Sequence, residues 1–164
     1  MKKLIFLLSI ALSSCQSTFY IVRHAEKVDN STDAALSAAG QARANTLKDS
    51  LLSKHILKIY STNFSRTRNT AKPLSDAINV PIELYNPRNQ TVLIDSLKKM
   101  KGKNVLVVGH SNTVRHVVNG LFERDTLRND LPETDFDNLF IVKRSFFPSK
   151  SRRFYAKTYG TPTN

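Results

Sequence analysis

The sequence has little of three things: cysteine, long apolar runs and acidic residues. Cys15 is the only cysteine among the 164 residues, so the chain cannot form an internal disulfide. The one long apolar run, residues 5–12, is interrupted by Ser9 and is much shorter than the roughly twenty residues that a bilayer-spanning helix needs. These absences argue against a disulfide scaffold and an integral membrane protein, and the length fits one globular domain.

Acidic residues are outnumbered by basic ones, 13 to 25, which gives a formal net charge of +12 at pH 7. A surface of this sign suits anionic partners such as phosphorylated molecules, acidic lipid headgroups or nucleic acid. The basic residues are spread along the chain, with a mild cluster over residues 143–157, and no zinc-finger spacing or RNA-binding motif accompanies them. Nucleic acid is therefore not an expected partner, and the charge alone is best interpreted as a solvated basic surface.

The first residues are typical of a secretory signal peptide. Lys2 and Lys3 form a positive start, residues 4–12 form a short apolar core, and two serines follow before Cys15. The order Leu-Ser-Ser-Cys is similar to a bacterial lipobox, where cleavage occurs before the cysteine and its thiol is acylated. We predict a signal peptide over residues 1–14 and one domain over residues 15–164. Lipid on Cys15 would hold this domain at a membrane of the bacterial cell envelope, facing the periplasm or the exterior.

Strand and helix patterns alternate over the rest of the chain. Short apolar runs predict strands at 19–22, 56–60, 82–85 and 104–108, with a final pair at 138–143 and 153–159. Helical periodicity covers 37–54, 66–78 and 92–100, and a further helix opens near Ser111 or Asn112. Pro73 predicts that the second helix starts late or kinks. The alternation predicts an α/β fold, a three-layer αβα sandwich around a mostly parallel sheet.

Polar and charged side chains lie at or just beyond the ends of three of the predicted strands. Arg23 and His24 follow the first strand, Arg66 comes shortly after the second, and His110 follows the fourth. In open α/β sheets, ligands bind in the crevice beyond the carboxyl ends of the strands, so these four residues should share one pocket. Two arginines and two histidines favour an anion there. Phosphate fits best, because guanidinium groups bind its oxygens in pairs.

Four segments of the sequence resemble the histidine phosphatase superfamily, whose members are phosphoglycerate mutase-like. The family's Arg-His pair after the first strand is matched at 20–26, and its Leu-Ser/Thr-x-x-Gly-x-x-Arg-Ala segment at 36–44. Its Ser-x-x-x-Arg-x-x-x-Thr-Ala segment is matched at 61–71, with one extra residue between Ser61 and Arg66. The strand that bears the second histidine is matched at 107–111. Together, in order, the segments are far more specific than any one of them.

The resemblance implies a phosphatase that needs no metal and no other cofactor. His24 would be the nucleophile that takes the phosphoryl group on a ring nitrogen. Arg23, Arg66 and His110 would hold the phosphoryl oxygens and stabilise the transition state. Asn30 falls where many members place a phosphate-contacting asparagine. The expected partner is a small phosphorylated substrate or a phosphoprotein, and the sequence does not indicate an oligomeric state.

One part of the family pattern is missing, the carboxylate that protonates the leaving oxygen. The loop after the third strand, residues 85–89, has no acid, and Ser111 stands where other members place an aspartate. Glu83 is a candidate donor, with Glu26 and Asp95 more remote. A phosphoramidate leaves with less help than a phosphomonoester, so a phosphohistidine substrate stays open. The alternative of a phosphate-binding pseudoenzyme of the same fold, with little or no turnover, also stays open.

Two other chemistries fit the sequence less well. The segment from Gly109 to Ser111 resembles the start of a lipase nucleophile elbow, but the final glycine is replaced and only His116, in the same predicted helix, follows the serine. The histidines and Glu26 are metal-ligand types without a known ligand spacing. Arg43, in the first predicted helix, is interpreted as a surface charge.

Overall fold

Strands and helices alternate along residues 16–147 and 149–163, which are the residues that the computed structural model describes. The predicted signal peptide and Cys15 lie outside them. The strands are β1 (Gln16–Arg23), β2 (Ile56–Thr62), β3 (Ile82–Tyr85), β4 (Asn104–Gly109), β5 (Asn138–Ser145) and β6 (Ser151–Thr158). The helices are α1 (Ala38–Leu51), α2 (Ser65–Ile78), α3 (Gln90–Lys99) and α4 (Ser111–Phe122), and a 3-10 turn follows α1 at Leu52–Lys54.

All six strands form one sheet, in the order β3-β2-β4-β1-β5-β6. β3, β2, β4 and β1 pair in parallel, whereas β5 is antiparallel to both of its neighbours. β5 therefore runs against all the other strands. The central position of β1 and β4 explains their nearly continuous apolar sequences, since strands covered on both faces have no solvent side. The predicted mostly parallel sheet is confirmed.

Helices cover both faces of the sheet, which gives the predicted three-layer sandwich. Side chains alternate along β1: Tyr20 and Val22 pack in one core with α1 and α2, whereas Phe19 and Ile21 pack in the other with α3 and α4. Each core includes fully buried leucines from its helices, such as Leu47 on the first side. Burying one such side chain contributes about 1.5–3 kcal/mol. None of the helices in the described residues is long and apolar enough to cross a membrane.

The start of α2 differs from the prediction. The helix begins at Ser65, one residue before the predicted start, and continues past Pro73, so a late start, one of the two alternatives, is wrong. The reason is a carboxylate from another loop: Asp33 accepts hydrogen bonds from the Ser65 backbone N–H at 2.6 Å and from the Ser65 hydroxyl at 2.8 Å. This contact satisfies a free N–H at the helix N-terminus, where negative charge is also favourable.

Arg43 is buried and is not a charge on the helix surface, as the sequence had suggested. Its guanidinium pairs with the Glu26 carboxylate at 2.7 Å and donates to the carbonyl oxygens of Tyr159 at 2.9 Å and Thr161 at 2.8 Å. The side chain thus ties the loop after β1 and the last described residues to α1. Breaking one partner of such a buried pair leaves an uncompensated charge, which is strongly destabilising.

Candidate active site

The two histidines lie side by side because β1 and β4 are parallel neighbours in register. Arg23 is paired with Gly109, and the His24 backbone N–H continues the ladder by donating to the Gly109 carbonyl at 2.8 Å. The residue that follows each strand is therefore carried to the same edge of the sheet. The rings of His24 and His110 are 5.5 Å apart between centroids, at an angle of 66°.

His110 also caps α4. The sequence had placed the cap at Ser111 or Asn112, but the helix begins at Ser111 and His110 is the N-cap residue. Its backbone N–H donates to the Thr113 hydroxyl at 2.7 Å, which fixes the turn between strand and helix. The histidine ring is thus anchored at the positive end of a helix dipole, an arrangement that favours an anion beside it.

The His24 ring is held in one tautomer. Its Nδ1 lies 2.8 Å from the Ala25 carbonyl oxygen, which can only accept, so Nδ1 carries the proton and Nε2 keeps its lone pair. Burial lowers the pKa of His24 to about 3, and the charge of Arg23 adds to this effect against the opposing bond to Ala25. The ring is therefore neutral near pH 7, and its free nitrogen is a competent nucleophile.

The His110 ring is oriented by Thr62 and Arg66. Its Nε2 lies 2.9 Å from the Thr62 hydroxyl oxygen, and its Nδ1 lies 3.5 Å from Nη2 of Arg66. Because a guanidinium only donates, Nδ1 is the accepting nitrogen and Nε2–H donates to Thr62. Burial, followed by the charge of Arg66, lowers the pKa of His110 to about 4.

Thr62 was missed in the sequence, although a signal for it exists. It stands four residues before Arg66, the spacing of the serine in the family's Ser-x-x-x-Arg segment. With this spacing, Thr62 fits the first position of the family's segment without the extra residue that a start at Ser61 requires. The Ser61 hydroxyl instead donates to the Thr62 carbonyl at 2.9 Å.

Each of the two arginines stacks on an aromatic ring. The guanidinium carbon of Arg23 lies 4.5 Å from the ring centroid of Phe136, and that of Arg66 lies 4.5 Å from the centroid of Phe64. Neither Nε atom has a hydrogen-bond partner within the described part of the chain, although both are buried. An unpaired buried donor costs about 1–3 kcal/mol, so an anionic oxygen that accepts these bonds would offset that cost. Neither phenylalanine had a signal in the sequence.

Asn30 is not brought against these four residues. It is exposed, accepts a hydrogen bond from Lys27 at 3.2 Å, and lines an open groove of about 590 Å³ together with Glu133 and Phe136. The groove adjoins the site through Glu133 and Phe136, which both contact Arg23.

The acids named from the sequence are engaged elsewhere. Glu26 pairs with Arg43, and Glu83 pairs with Lys58, whose hydrogen bond lowers the pKa of that carboxyl group. Asp95 is exposed on α3. His116, the base required by a lipase-type reading, is exposed and lies 3.5 Å from Arg115. Among residues 16–147 and 149–163, no group of three or more His, Cys, Asp or Glu side chains is arranged to hold a metal ion.

Comparisons with known proteins agree with this geometry. Residues 19–87 match the family model of the histidine phosphatase superfamily (branch 1). No significant match was found among curated protein sequences. A solved structure assigned as the phosphohistidine phosphatase SixA of Agrobacterium tumefaciens is 18% identical, with a TM-score of 0.63 over 88% of this chain and 97% of that one.

Two further structures are similar in fold. The mycobacterial glucosyl-3-phosphoglycerate phosphatase is 13% identical, with a TM-score of 0.62 over 85% of this chain and 97% of its own. The phosphoserine phosphatase of Entamoeba histolytica is 15% identical, with a TM-score of 0.61 over 89% of this chain and 98% of its own. The family match spans β1 with Arg23 and His24 and α2 with Arg66, and the fold that the chain shares with these structures extends over the remaining strands.

Proposed function

We propose that this protein is a phosphatase that works through a phosphohistidine on His24 and needs no metal ion. The observation that carries the proposal is the position of the His24 ring. Its Nδ1 is fixed on the Ala25 carbonyl, so Nε2 keeps its lone pair. The His110 ring lies 5.5 Å away between centroids, and Arg66 contacts His110. Phosphoryl transfer depends mostly on positioning and on stabilising negative charge, and these residues supply both.

The residues have distinct roles in the proposed reaction. Nε2 of His24 attacks phosphorus, and the bond to the leaving oxygen breaks. Arg23 and Arg66 bind the phosphoryl oxygens through donors that include their unpaired Nε–H groups. His110 takes up a proton when the phosphate dianion arrives and then donates to it, because an adjacent anion favours the charged ring. Water then hydrolyses the phosphohistidine and restores His24.

The similar structures are named for three different phosphorylated compounds, which supports a phosphorylated substrate for this protein but does not indicate which compound it is. One structure is assigned as a phosphohistidine phosphatase, one is named for glucosyl-3-phosphoglycerate and one for phosphoserine. We propose a small phosphomonoester or a phosphorylated protein side chain as the substrate. The open groove at Asn30 leaves room for either.

The test is turnover of p-nitrophenyl phosphate by the full chain and by His24→Ala, each with and without a chelator. We expect wild-type activity that resists the chelator and falls by at least about a thousandfold in the variant, since both steps need the nucleophile. His116→Ala, a change at an exposed histidine of α4, is the matched control and should retain wild-type rates.

Three results would contradict the proposal. Equal activity in wild type and His24→Ala would remove His24 as the nucleophile, and loss of activity with chelator would require a metal. Binding of inorganic phosphate by the wild type, with no turnover of aryl phosphate or phosphohistidine, would indicate a phosphate-binding protein without catalytic activity.

We also propose that lipid on Cys15 anchors the domain in the cell envelope. Support comes from the direction of β1, which starts one residue after Cys15 and ends at Arg23. At about 3.3 Å per residue, the strand separates the anchor from the site by roughly 25 Å. A basic groove lies beside Ser145, the partner of Gln16, and suits acidic headgroups; its charged lining residues are Lys98, Lys101, Glu123, Arg144, Lys150 and Arg152. The site would then face away from the membrane.

A further inference from the structure

The segment between α4 and β5, residues 123–137, brings a carboxylate to the site from a loop in which the sequence has no recognisable motif. Glu133 Oε2 accepts from Nη2 of Arg23 at 2.7 Å, and its Oε1 lies 3.4 Å from the Ser111 hydroxyl. The carboxylate also acts electrostatically on Arg66 and on His110. Glu133 therefore lies among three of the four residues that surround the proposed phosphoryl position.

The position of Glu133 is fixed by the backbone as well as by its own ion pair. Nη1 of Arg23 donates to the carbonyl oxygens of Pro132 and Asp135, on either side of Glu133. Asp130, earlier in the same segment, pairs with Arg115 of α4 at 2.6 Å. The loop therefore contacts α4 before Glu133, through Asp130, and contacts β1 on both sides of Glu133, through Pro132 and Asp135. These contacts hold the Glu133 carboxylate at the mouth of the site.

Cleavage of an alkyl phosphomonoester requires a group that donates a proton to the leaving oxygen. An alkoxide is a poor leaving group, so the oxygen that departs from an alkyl phosphate must receive a proton as its bond to phosphorus breaks. His24 is occupied as the nucleophile, and the arginines cannot give up a proton at ordinary pH. Glu26 is paired with Arg43 and Glu83 with Lys58, and Asp95 is exposed on α3.

We propose that Glu133 is the general acid for the leaving oxygen, an assignment that rests on the proposed phosphatase function. As Nε2 of His24 forms its bond to phosphorus, the electron pair of the breaking P–O bond goes to the leaving oxygen. That oxygen takes the proton of the Glu133 carboxyl group, and the alcohol departs. In the second step, a water oxygen bonds to phosphorus and the P–N bond electrons return to Nε2, while one water proton stays on the phosphate and the other passes to solvent. Glu133 regains its proton from solvent.

Charge and exposure suit Glu133 to this cycle. The arriving phosphate dianion competes with the Glu133 carboxylate for Arg23 and repels it, which weakens the ion pair that holds Glu133 in the free site. The side chain is 75% exposed, whereas that of Arg23 is 2% exposed, so the glutamate exchanges protons with water while the arginine stays inside. The assignment makes alkyl phosphomonoesters, such as phosphorylated sugars or hydroxy acids, the substrate class of this site.

The experiment compares one aryl and one alkyl substrate, p-nitrophenyl phosphate and glycerol 2-phosphate, for the wild type and Glu133→Gln. Glutamine keeps the size of the side chain but cannot donate the carboxyl proton. We expect kcat for glycerol 2-phosphate to fall about a hundredfold or more, and kcat for p-nitrophenyl phosphate to fall less than about fivefold, because a phenolate leaves without a proton. The aryl rate also reports that the variant is folded.

Glu83→Gln is the matched control, because the Glu83 carboxylate pairs with Lys58 at the edge of the sheet. This variant should keep the wild-type ratio of the alkyl rate to the aryl rate. Equal loss for both substrates in Glu133→Gln, or loss for neither, overturns the assignment while the phosphatase proposal stands. Tighter binding of inorganic phosphate by Glu133→Gln, with no loss of alkyl turnover, would also overturn the assignment. Glu133 would then only compete with phosphate for Arg23. A wild type that cleaves neither substrate overturns the phosphatase proposal itself.

Discussion

Two neutral histidines lie at the centre of the candidate site, His24 buried and His110 half-buried, and their neutrality affects stability as well as chemistry. In the unfolded chain, His24 takes up a proton below about pH 6.5, its ordinary pKa, whereas in the folded protein burial holds its pKa at about 3. Between these values the unfolded state binds more protons than the folded state. Folding stability attributable to His24 is therefore complete above about pH 6.5 and is lost progressively as the pH falls toward 3.

We expect the wild type to lose about 1 kcal/mol more unfolding free energy than His24→Asn between pH 7.5 and pH 5.5, measured by urea denaturation. Asparagine does not titrate, and its side-chain amide can donate to the Ala25 carbonyl in place of Nδ1. His55→Asn is the control, because His55 is exposed and has φ = 49°, a conformation that asparagine tolerates. Parallel pH dependence in His24→Asn and the wild type would contradict a buried neutral His24.

At the scale of an element, the start of α1 sets the course of the loop that follows His24. A Cβ atom on Gly40 would lie 2.2 Å from the Glu26 carbonyl oxygen and 3.0 Å from the Glu26 nitrogen. Both are backbone atoms that cannot rotate away, and the Ser37 N–H also donates to the same oxygen at 2.9 Å. The glycine of the family's second segment is thus required by close backbone contact two residues after the proposed nucleophile.

We expect Gly40→Ala to lower the unfolding free energy by about 1–3 kcal/mol, because overpacking outweighs the gain in helix propensity of about 1 kcal/mol. Aryl phosphatase activity should fall as well, since the displaced loop carries Glu26 and adjoins His24. Gln41→Ala, at the exposed neighbouring position, is the control and should be neutral or slightly stabilising. A Gly40→Ala protein as stable as the wild type would show that the loop moves at no cost.

At the scale of the whole molecule, the two ends of the central strands face different proposed partners, the substrate at one end and the membrane at the other. The carboxyl ends of β1 and β4 carry the histidines, and the start of β1 lies beside the basic groove. If Cys15 is acylated, the anchor and the site lie at opposite ends of one strand. Substrate would then approach from the aqueous side without interference from the bilayer.

Cys15→Ala should move the protein from the membrane fraction to the soluble fraction and abolish incorporation of labelled palmitate, because no other residue of the sequence offers a thiol. Ser14→Ala, which keeps the thiol, is the control and should remain in the membrane fraction. Equal membrane association of Cys15→Ala and the wild type after the same processing would contradict lipid anchoring. The phosphatase proposal does not depend on this result.

The sequence by itself predicted most of the sheet and the residues placed around the candidate site. Apolar runs predict buried strands because a strand covered on both faces has no polar positions. Arg23, His24 and His110 lie just beyond the ends of two of these runs. The rule that ligands bind beyond the carboxyl ends of parallel strands was enough to expect these side chains together. The family resemblance added their proposed roles.

Only the tertiary structure decided where the acidic groups lie and which charges are buried. Glu133 is more than a hundred residues from Arg23 in the sequence, and no local pattern marks a loop residue whose partner is so remote. Arg43 has the spacing of a surface charge, yet Glu26 and the backbone near the C-terminus enclose it. Asp33 likewise starts α2 from another loop. Periodicity reports which face of an element is apolar, whereas the pairing of charges depends on how separate segments meet once the sheet has formed.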